Sequence, residues 1–225
     1  MKKLFRVRPV ITVLACTMFV YLLISWYWFR LPLMRVLPLM ISITVMFLQA
    51  NVNRFAFLLG AFNSLLYAVA YYSMTLYTST AYAVLFSFPL QLVTFFNWQR
   101  NTRNSETKTR SLSFKGRILL GGVMLLSWIV LCMIFSVLGS PYLIWDNTTS
   151  VLGIVASILC MLRYSEYTVF QIIGSIISIM MFGAMLKDDP SQIVWLIYTV
   201  YATICSVSAL IKMSIAQRKR RHTEV

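Results

Sequence analysis

FAFLLGAFNSLLYAVAYYS, residues 55–73, is long and apolar enough to cross a bilayer as a helix, and it carries one amide, Asn63, near its middle. A helix rises about 1.5 Å per residue, so about 20 residues span the hydrocarbon layer. Slid forward by 112 positions, the stretch falls on residues 167–185, with Asn63 over Ser175. The same shift sets Gln91 over Thr203 and Arg54 over Glu166. The flanking apolar stretches follow, so 33–98 and 147–213 read as one three-helix unit written twice. The match lies in hydropathy and in a few polar positions. A repeat in one orientation is a known way to build a membrane pathway with a solute site between the copies.

Outward from this pair, eight apolar stretches are visible, at 10–29, 33–49, 55–73, 80–98, 118–138, 147–163, 168–186 and 193–213. Stretch 10–29 precedes the first triplet, and 118–138 links the two. Each triplet reverses the chain an odd number of times and the linker restores its direction, so the copies run parallel. The expected fold is an all-α integral membrane protein with eight transmembrane helices arranged 1+3+1+3. Composition agrees: 60% of residues are hydrophobic, 12% are charged, and the mean hydropathy is +0.78. A soluble core of this size does not need so much apolar surface, which makes lipid the solvent.

The net charge of +14 invites a nucleic-acid reading, but its placement points elsewhere. Of the 20 Lys and Arg, all but Arg30, Arg35 and Lys187 fall on one side of an eight-span topology. That is the positive-inside pattern, with both termini cytoplasmic. The basic tail Arg218–Arg221 reads as a topology signal or a contact with anionic lipid, and no nucleic-acid partner is expected. The first span has a basic start like a secretory signal. It is longer than a signal's apolar core, however, and ends in Ser25-Trp26-Tyr27-Trp28-Phe29 without the small residues of a cleavage site, so it reads as retained.

Catalytic chemistry has no foothold. There is no phosphate loop, no His-Glu-x-x-His and no Ser/His/Asp set, and the one histidine, His222, lies in the tail. Cys16, Cys132, Cys160 and Cys205 all fall inside spans without ligand spacing, so no metal or cofactor is expected. The spans hold almost no ionisable groups; Asp146 starts the sixth, and Arg163 and Glu166 sit in a turn. Proton-driven carriers usually place a carboxylate or histidine at depth, so this pattern favours passive facilitation.

What the spans do carry is uncharged polar residues beside aromatics. Asn63 precedes Tyr67 and Tyr71 by one and two turns. Gln91, Phe95 and Trp98 share a face, as do Gln171 and Ser175; Trp195, Tyr198 and Thr199 precede Thr203. Amides that bond a sugar, next to rings that stack on a base, suit a flat heterocyclic solute. The same residue types also serve membrane helices as interhelical glue and interfacial anchors. Ser64 and Ser178 read as glue. Asn63 and Gln91 stand out, because amides are costly to bury unpaired and both have counterparts in the second copy.

The run Trp145-Asp146, Ser150-Val151-Leu152-x-Ile154-Val155-Ala156, Arg163-Tyr164-x-Glu166 and Ser178 resembles the nicotinamide riboside transporter family, PnuC. So does the first copy, with Asn63, Leu76-Tyr77-x-Ser79 and Phe95-x-x-Trp98. The resemblance covers about residues 33–211. It implies a fold similar to SWEET sugar transporters, facilitated diffusion of a vitamin-type solute across the inner membrane, trapping by a cytoplasmic kinase, and a homotrimer. The family's solutes include nicotinamide riboside and, in subgroups, thiamine, riboflavin and deoxynucleosides. This chain departs from the family pattern at Phe95, where the first Trp of Trp-x-x-Trp is usual. It departs again at Gln171 and Ser175, where Trp and Asn are usual, and at Gln91 and Thr203, where Asn is usual.

The resulting expectation is a membrane facilitator, not an enzyme, working by alternating access on a vitamin precursor or nucleoside, foremost nicotinamide riboside. Asn63, Gln91, Gln171, Ser175 and Thr203 would bond its polar part, and Tyr67, Phe95, Trp98 and Tyr198 would stack on or gate the ring. Rival readings are a SWEET-like sugar carrier, which needs more amides and fewer rings, and a non-transporting membrane partner protein, for which the short loops leave little docking surface.

Overall fold

The computed structural model describes residues 9–50, 55–101, 111–162 and 164–223. Among them every regular element is a helix. The order is α1 (Pro9–Phe29), α2 (Leu33–Ala50), α3 (Phe55–Ser73), α4 (Tyr77–Tyr82), a π-helical turn (Ala83–Ser87), α5 (Phe88–Asn101), α6 (Phe114–Ser136), α7 (Leu143–Met161), α8 (Tyr167–Met185), a 3-10 turn (Pro190–Gln192) and α9 (Ile193–Thr223). α4, the π turn and α5 run on as one rod, which is the fourth span.

Seven of these rods are long and apolar enough to cross a membrane, and Leu33–Leu48 is a shorter apolar helix. The chain is thus built as a multi-pass membrane protein, with apolar side chains facing outward as well as inward. α6 is the extreme case. No residue in it is buried, and Leu119, Leu125, Leu126 and Met133 are all more than 60% exposed. In water such a surface would drive aggregation; in a bilayer it meets hydrocarbon.

Two starts, those of α6 and α7, fall a full turn earlier than hydropathy alone places them, each for a polar reason. Ser113 accepts the Gly116 N–H at 3.2 Å and starts α6 a turn before residue 118. α7 begins at Leu143, before residue 147, and takes Asp146 into its first turn, where the helix dipole favours a carboxylate. The π turn ends just before Pro89, which has no N–H to offer the carbonyl four residues back. The wider turn takes up that mismatch inside an otherwise regular rod.

α3 packs on α2 and α5, and α8 packs on α7 and α9. Across these groups α4 and α5 meet α7, and α2 meets α9, while α1 lies against α2 and α9 and α6 against α7. Small residues permit the close approaches. A Cβ on Gly60 would lie 2.0 Å from Gln91 Oε1, and one on Gly153 would lie 2.8 Å from the Tyr82 ring. The apolar core joins Leu22, Val36, Leu39, Met74, Phe182, Met185, Val194 and Trp195, from α1, α2, α8, α9 and the turn after α3. It lies toward the end of the bundle where α2 and α9 begin, here the Arg35 end; the opposite end is the Glu166 end.

Candidate solute site and the contacts between the helix groups

Three of the residues expected from sequence meet where α2, α3 and α9 join. Asn63 is 3% exposed. Its amide donates to the Pro38 carbonyl at 3.0 Å and to Ser42 Oγ at 2.8 Å. Both N–H donors are thereby used and the amide orientation is fixed, leaving Oδ1 buried without a partner. The Tyr67 hydroxyl lies 2.8 Å from Ser42 Oγ, and Tyr198 places its hydroxyl against Ser42 and Tyr67. Around this polar knot the rings close up. Tyr67 stacks on Tyr71 with centroids 5.4 Å apart, and Trp195 lies 5.7 Å from each. Phe182 backs Trp195 at 5.5 Å.

Ser42 and Trp195 complete the cluster, and neither was among the expected site residues. Ser42 is the hub, contacting Asn63, Tyr67 and Tyr198. Shifted by 112 positions it falls on Ile154, so the repeat gave it no weight. Its one signal is its place four residues after Pro38, on the face that α3 covers.

The other expected residues lie elsewhere. Gln91 donates to Ser64 Oγ and Ser87 Oγ, each at 2.9 Å, with its oxygen against Gly60, so it locks α5 to α3. Phe95 packs on Phe55 at 5.8 Å and on Phe96 at 5.3 Å. Ser175 and Thr203 turn their hydroxyls onto their own helices, at the Gln171 and Thr199 carbonyls, 2.9 and 2.8 Å away. Among the described residues no hydrogen bond joins Gln171, Ser175 or Thr203 to the Asn63 cluster. Trp98 belongs to α5 by backbone, and its side chain lies outside the described residues, as does Arg163.

The Arg35 end carries two polar clamps between the helix groups. In the first, Asp146 of α7 accepts the backbone N–H of Thr78 at 2.9 Å and of Ser79 at 3.0 Å, and also the Ser79 hydroxyl. Thr78 donates to Asn147 at 2.6 Å, and Ser150 approaches Ser79 at 3.3 Å. A buried carboxylate thus caps a helix start that belongs to a different part of the chain. The Leu76-Tyr77-x-Ser79 and Trp145-Asp146 pieces of the quoted pattern are the two sides of this one contact.

In the second clamp, Arg35 of α2 bonds Ser73 Oγ at 3.1 Å, the Ser73 carbonyl at 3.0 Å and Asp189 Oδ2 at 3.3 Å. Partial burial pushes the Asp189 carboxyl upward. The Ser191 and Gln192 hydrogen bonds and the Arg35 charge outweigh it and hold the group below its ordinary value. Tyr142 donates to Asp188, and that bond, with some desolvation, raises its phenol above the usual range. At the Glu166 end, Glu166 accepts the Leu112 N–H at 2.8 Å and Arg117 at 3.2 Å, which ties the start of α6 to the α7–α8 turn. Among the described residues no group of three or more His, Cys, Asp or Glu could hold a metal ion.

Residues 32–210 match the family described as nicotinamide mononucleotide transporter. The nicotinamide riboside transporter PnuC of Neisseria mucosa is 28% identical over 153 residues, which is 64% of this chain. The match spans 58% of that relative's length. The crystal structure of the vitamin B3 transporter PnuC superposes with a TM-score of 0.71 at 20% identity, covering 91% of this chain and 92% of the other. The two share a fold.

Proposed function

We propose that this chain, which belongs to the nicotinamide mononucleotide transporter family, carries nicotinamide riboside across the inner membrane by alternating access. The observation that carries this reading is the Asn63 cluster. A buried acceptor with fixed orientation, three tyrosines and a tryptophan meet where two groups of helices join. Oδ1 offers an acceptor to a hydroxyl or carboxamide donor, and the rings offer faces to a flat cationic base.

The same residues favour a riboside over its phosphorylated form. Within 36–50, 55–97, 143–161 and 167–208 the chain has no Lys or Arg except Lys187, and Arg35 stands about two turns from Ser42 along α2. A phosphate dianion at that depth would have no basic partner, at a desolvation cost of several kcal/mol or more. A sugar carrier is disfavoured because four rings crowd around few amides.

In the membrane arrangement that fits this reading, the two triplets run parallel as 1+3+1+3, with residues 33–98 and 147–213 as the copies. Supporting it, α7 reaches across to the start of α4 and α2 reaches across to the start of α9, which is an exchange of equivalent contacts. The positive-inside distribution supports a cytoplasmic Glu166 end, with both termini on that side and the Arg35 end outside. The packed core at that end supports an outward-closed reading of this state. Phosphorylation by a cytoplasmic kinase would then keep the solute inside.

The test is uptake of labelled nicotinamide riboside into liposomes holding the purified chain. Saturable uptake, blocked by unlabelled riboside and not by the mononucleotide, is the expected result. Equal block by both would overturn the choice of solute, and block by glucose would favour the sugar carrier.

A further inference from the structure

We propose that the pocket at the outer mouth is a capture site for a flat cationic heterocycle, whose positive charge takes the place of the Arg35 guanidinium on Asp189. This rests on the transport reading above and names the first place where the solute is held. The pocket, about 190 Å³, is bounded by Arg35, Ser73, Tyr142, Asp188, Asp189 and Gln192, among others. It sits where the ends of α3 and α8 meet the starts of α2, α7 and α9.

The charges are unusually placed for this chain. It has six acidic residues in all, and two of them, Asp188 and Asp189, stand side by side here. Asp189 Oδ1 accepts the Ser191 N–H at 3.0 Å, and Oδ2 is shared by Gln192 at 3.2 Å and Arg35 at 3.3 Å. The Arg35 contact is single-pronged, and the two side chains are 21% and 41% exposed. Pairs of that kind are weak and exchange readily. Because Arg35 also holds Ser73, the pair bridges α3 to the turn before α9. A solute cation that displaces Arg35 from Asp189 therefore loosens the bridge as it binds.

Gln192 supplies the second, independent observation. It is 3% exposed, its Nε2 is fixed on Asp189, and its Oε1 is buried with no partner. Fixed in that way, the amide presents an acceptor to an N–H or O–H donor on the solute. Below it the chain continues the same face at helical spacing: Gln192, Trp195, Tyr198. Trp195 lies 5.7 Å from Tyr71 and from Tyr67, so the capture site and the Asn63 cluster are joined by one row of ring faces. The order Asp189, Gln192, Trp195, Tyr198 is a route from the outer mouth to the buried acceptor.

The experiment compares uptake of nicotinamide riboside, a pyridinium cation, with uptake of its reduced dihydropyridine form, which has the same outline and no charge. Liposomes hold the full chain, Asp189→Asn, Asp188→Asn or Arg35→Gln. Asparagine preserves the cap on Ser191, so the first variant keeps the start of α9. The expected result is an about fivefold rise in the half-saturating concentration of the cation for Asp189→Asn, with a clearly smaller rise for the neutral form, which loses only the hold of Asp189 on Gln192. Asp188→Asn gives a smaller rise in the same direction, and Arg35→Gln lowers the value for the cation. The Asp189→Asn effect shrinks as salt is added. Equal shifts for both solutes in Asp189→Asn, or weaker cation uptake in Arg35→Gln, would overturn the capture site and leave the transport reading standing. A wild-type chain that moves neither solute would overturn both.

Discussion

Asp146 caps the helix that starts at Ser79's side: its Oδ1 accepts the Ser79 backbone N–H at 3.0 Å as well as the Ser79 hydroxyl, across 67 positions of sequence. The carboxylate is fully buried, and its other oxygen takes the Thr78 N–H at 2.9 Å. Removing it leaves two backbone donors without an acceptor and the Ser79 hydroxyl with only Ser150, 3.3 Å away. Each such orphan costs about 1–3 kcal/mol. Asp146→Ala is therefore expected to lose about 3 kcal/mol or more of stability, and Asp146→Asn, which keeps one acceptor oxygen, clearly less. Thermal unfolding in detergent separates the two; equal melting temperatures for both variants and the parent would contradict the cap.

Gln91 and Gly60 give a paired test of helix locking. An added Cβ at Gly60 would sit 2.0 Å from Gln91 Oε1 and 3.1 Å from its Cδ, so the Gln91 side chain must swing away and drop its bonds to Ser64 and Ser87. Gly60→Ala should cost about 1–2 kcal/mol, mostly those two hydrogen bonds. In the Gln91→Ala background the same change should cost little, because the blocking atoms are gone. Additive losses in the double variant would show that the two side chains do not meet.

The Arg35–Asp189 pair sets a pH dependence. Asp189 is held below its ordinary value near 3.8, so the stability it contributes is present above that value and is lost as pH falls through the lowered one. The groups facing it are Arg35, Ser73, Ser191 and Gln192, with Asp188, Tyr142 and Lys187 nearby. The melting-temperature gap between the parent and Arg35→Gln should be about 1–3 °C, constant from pH 8 to about 5, and should shrink only below pH 4. A gap that fades between pH 7 and 6 would mean that another group controls the contact.

Asn63 was legible from sequence for a simple reason: an amide in the middle of an apolar run is expensive unless something receives it, and here Pro38 and Ser42 do. Ser42 was not legible. A lone serine is ordinary glue in a membrane helix, and its counterpart in the second copy is Ile154. Gln91 looked equivalent to Asn63 by hydropathy and repeat, yet its partners are Ser64 and Ser87, set by the π turn before Pro89. Hydropathy finds the rods but carries no information on which polar groups on different rods face each other. That is also why Asp146 read as the start of a span and not as the cap of another helix.

Counterflow reads out whether a riboside uses the buried Asn63 acceptor on its way through. Liposomes holding the purified chain are preloaded with unlabelled nicotinamide riboside, and entry of labelled riboside is followed for the parent and for Asn63→Leu. Rapid accumulation is expected with the parent and a drop of at least about tenfold with Asn63→Leu, while the variant still inserts and purifies like the parent. Unchanged exchange in Asn63→Leu, or no flux above empty liposomes with the parent, would contradict it.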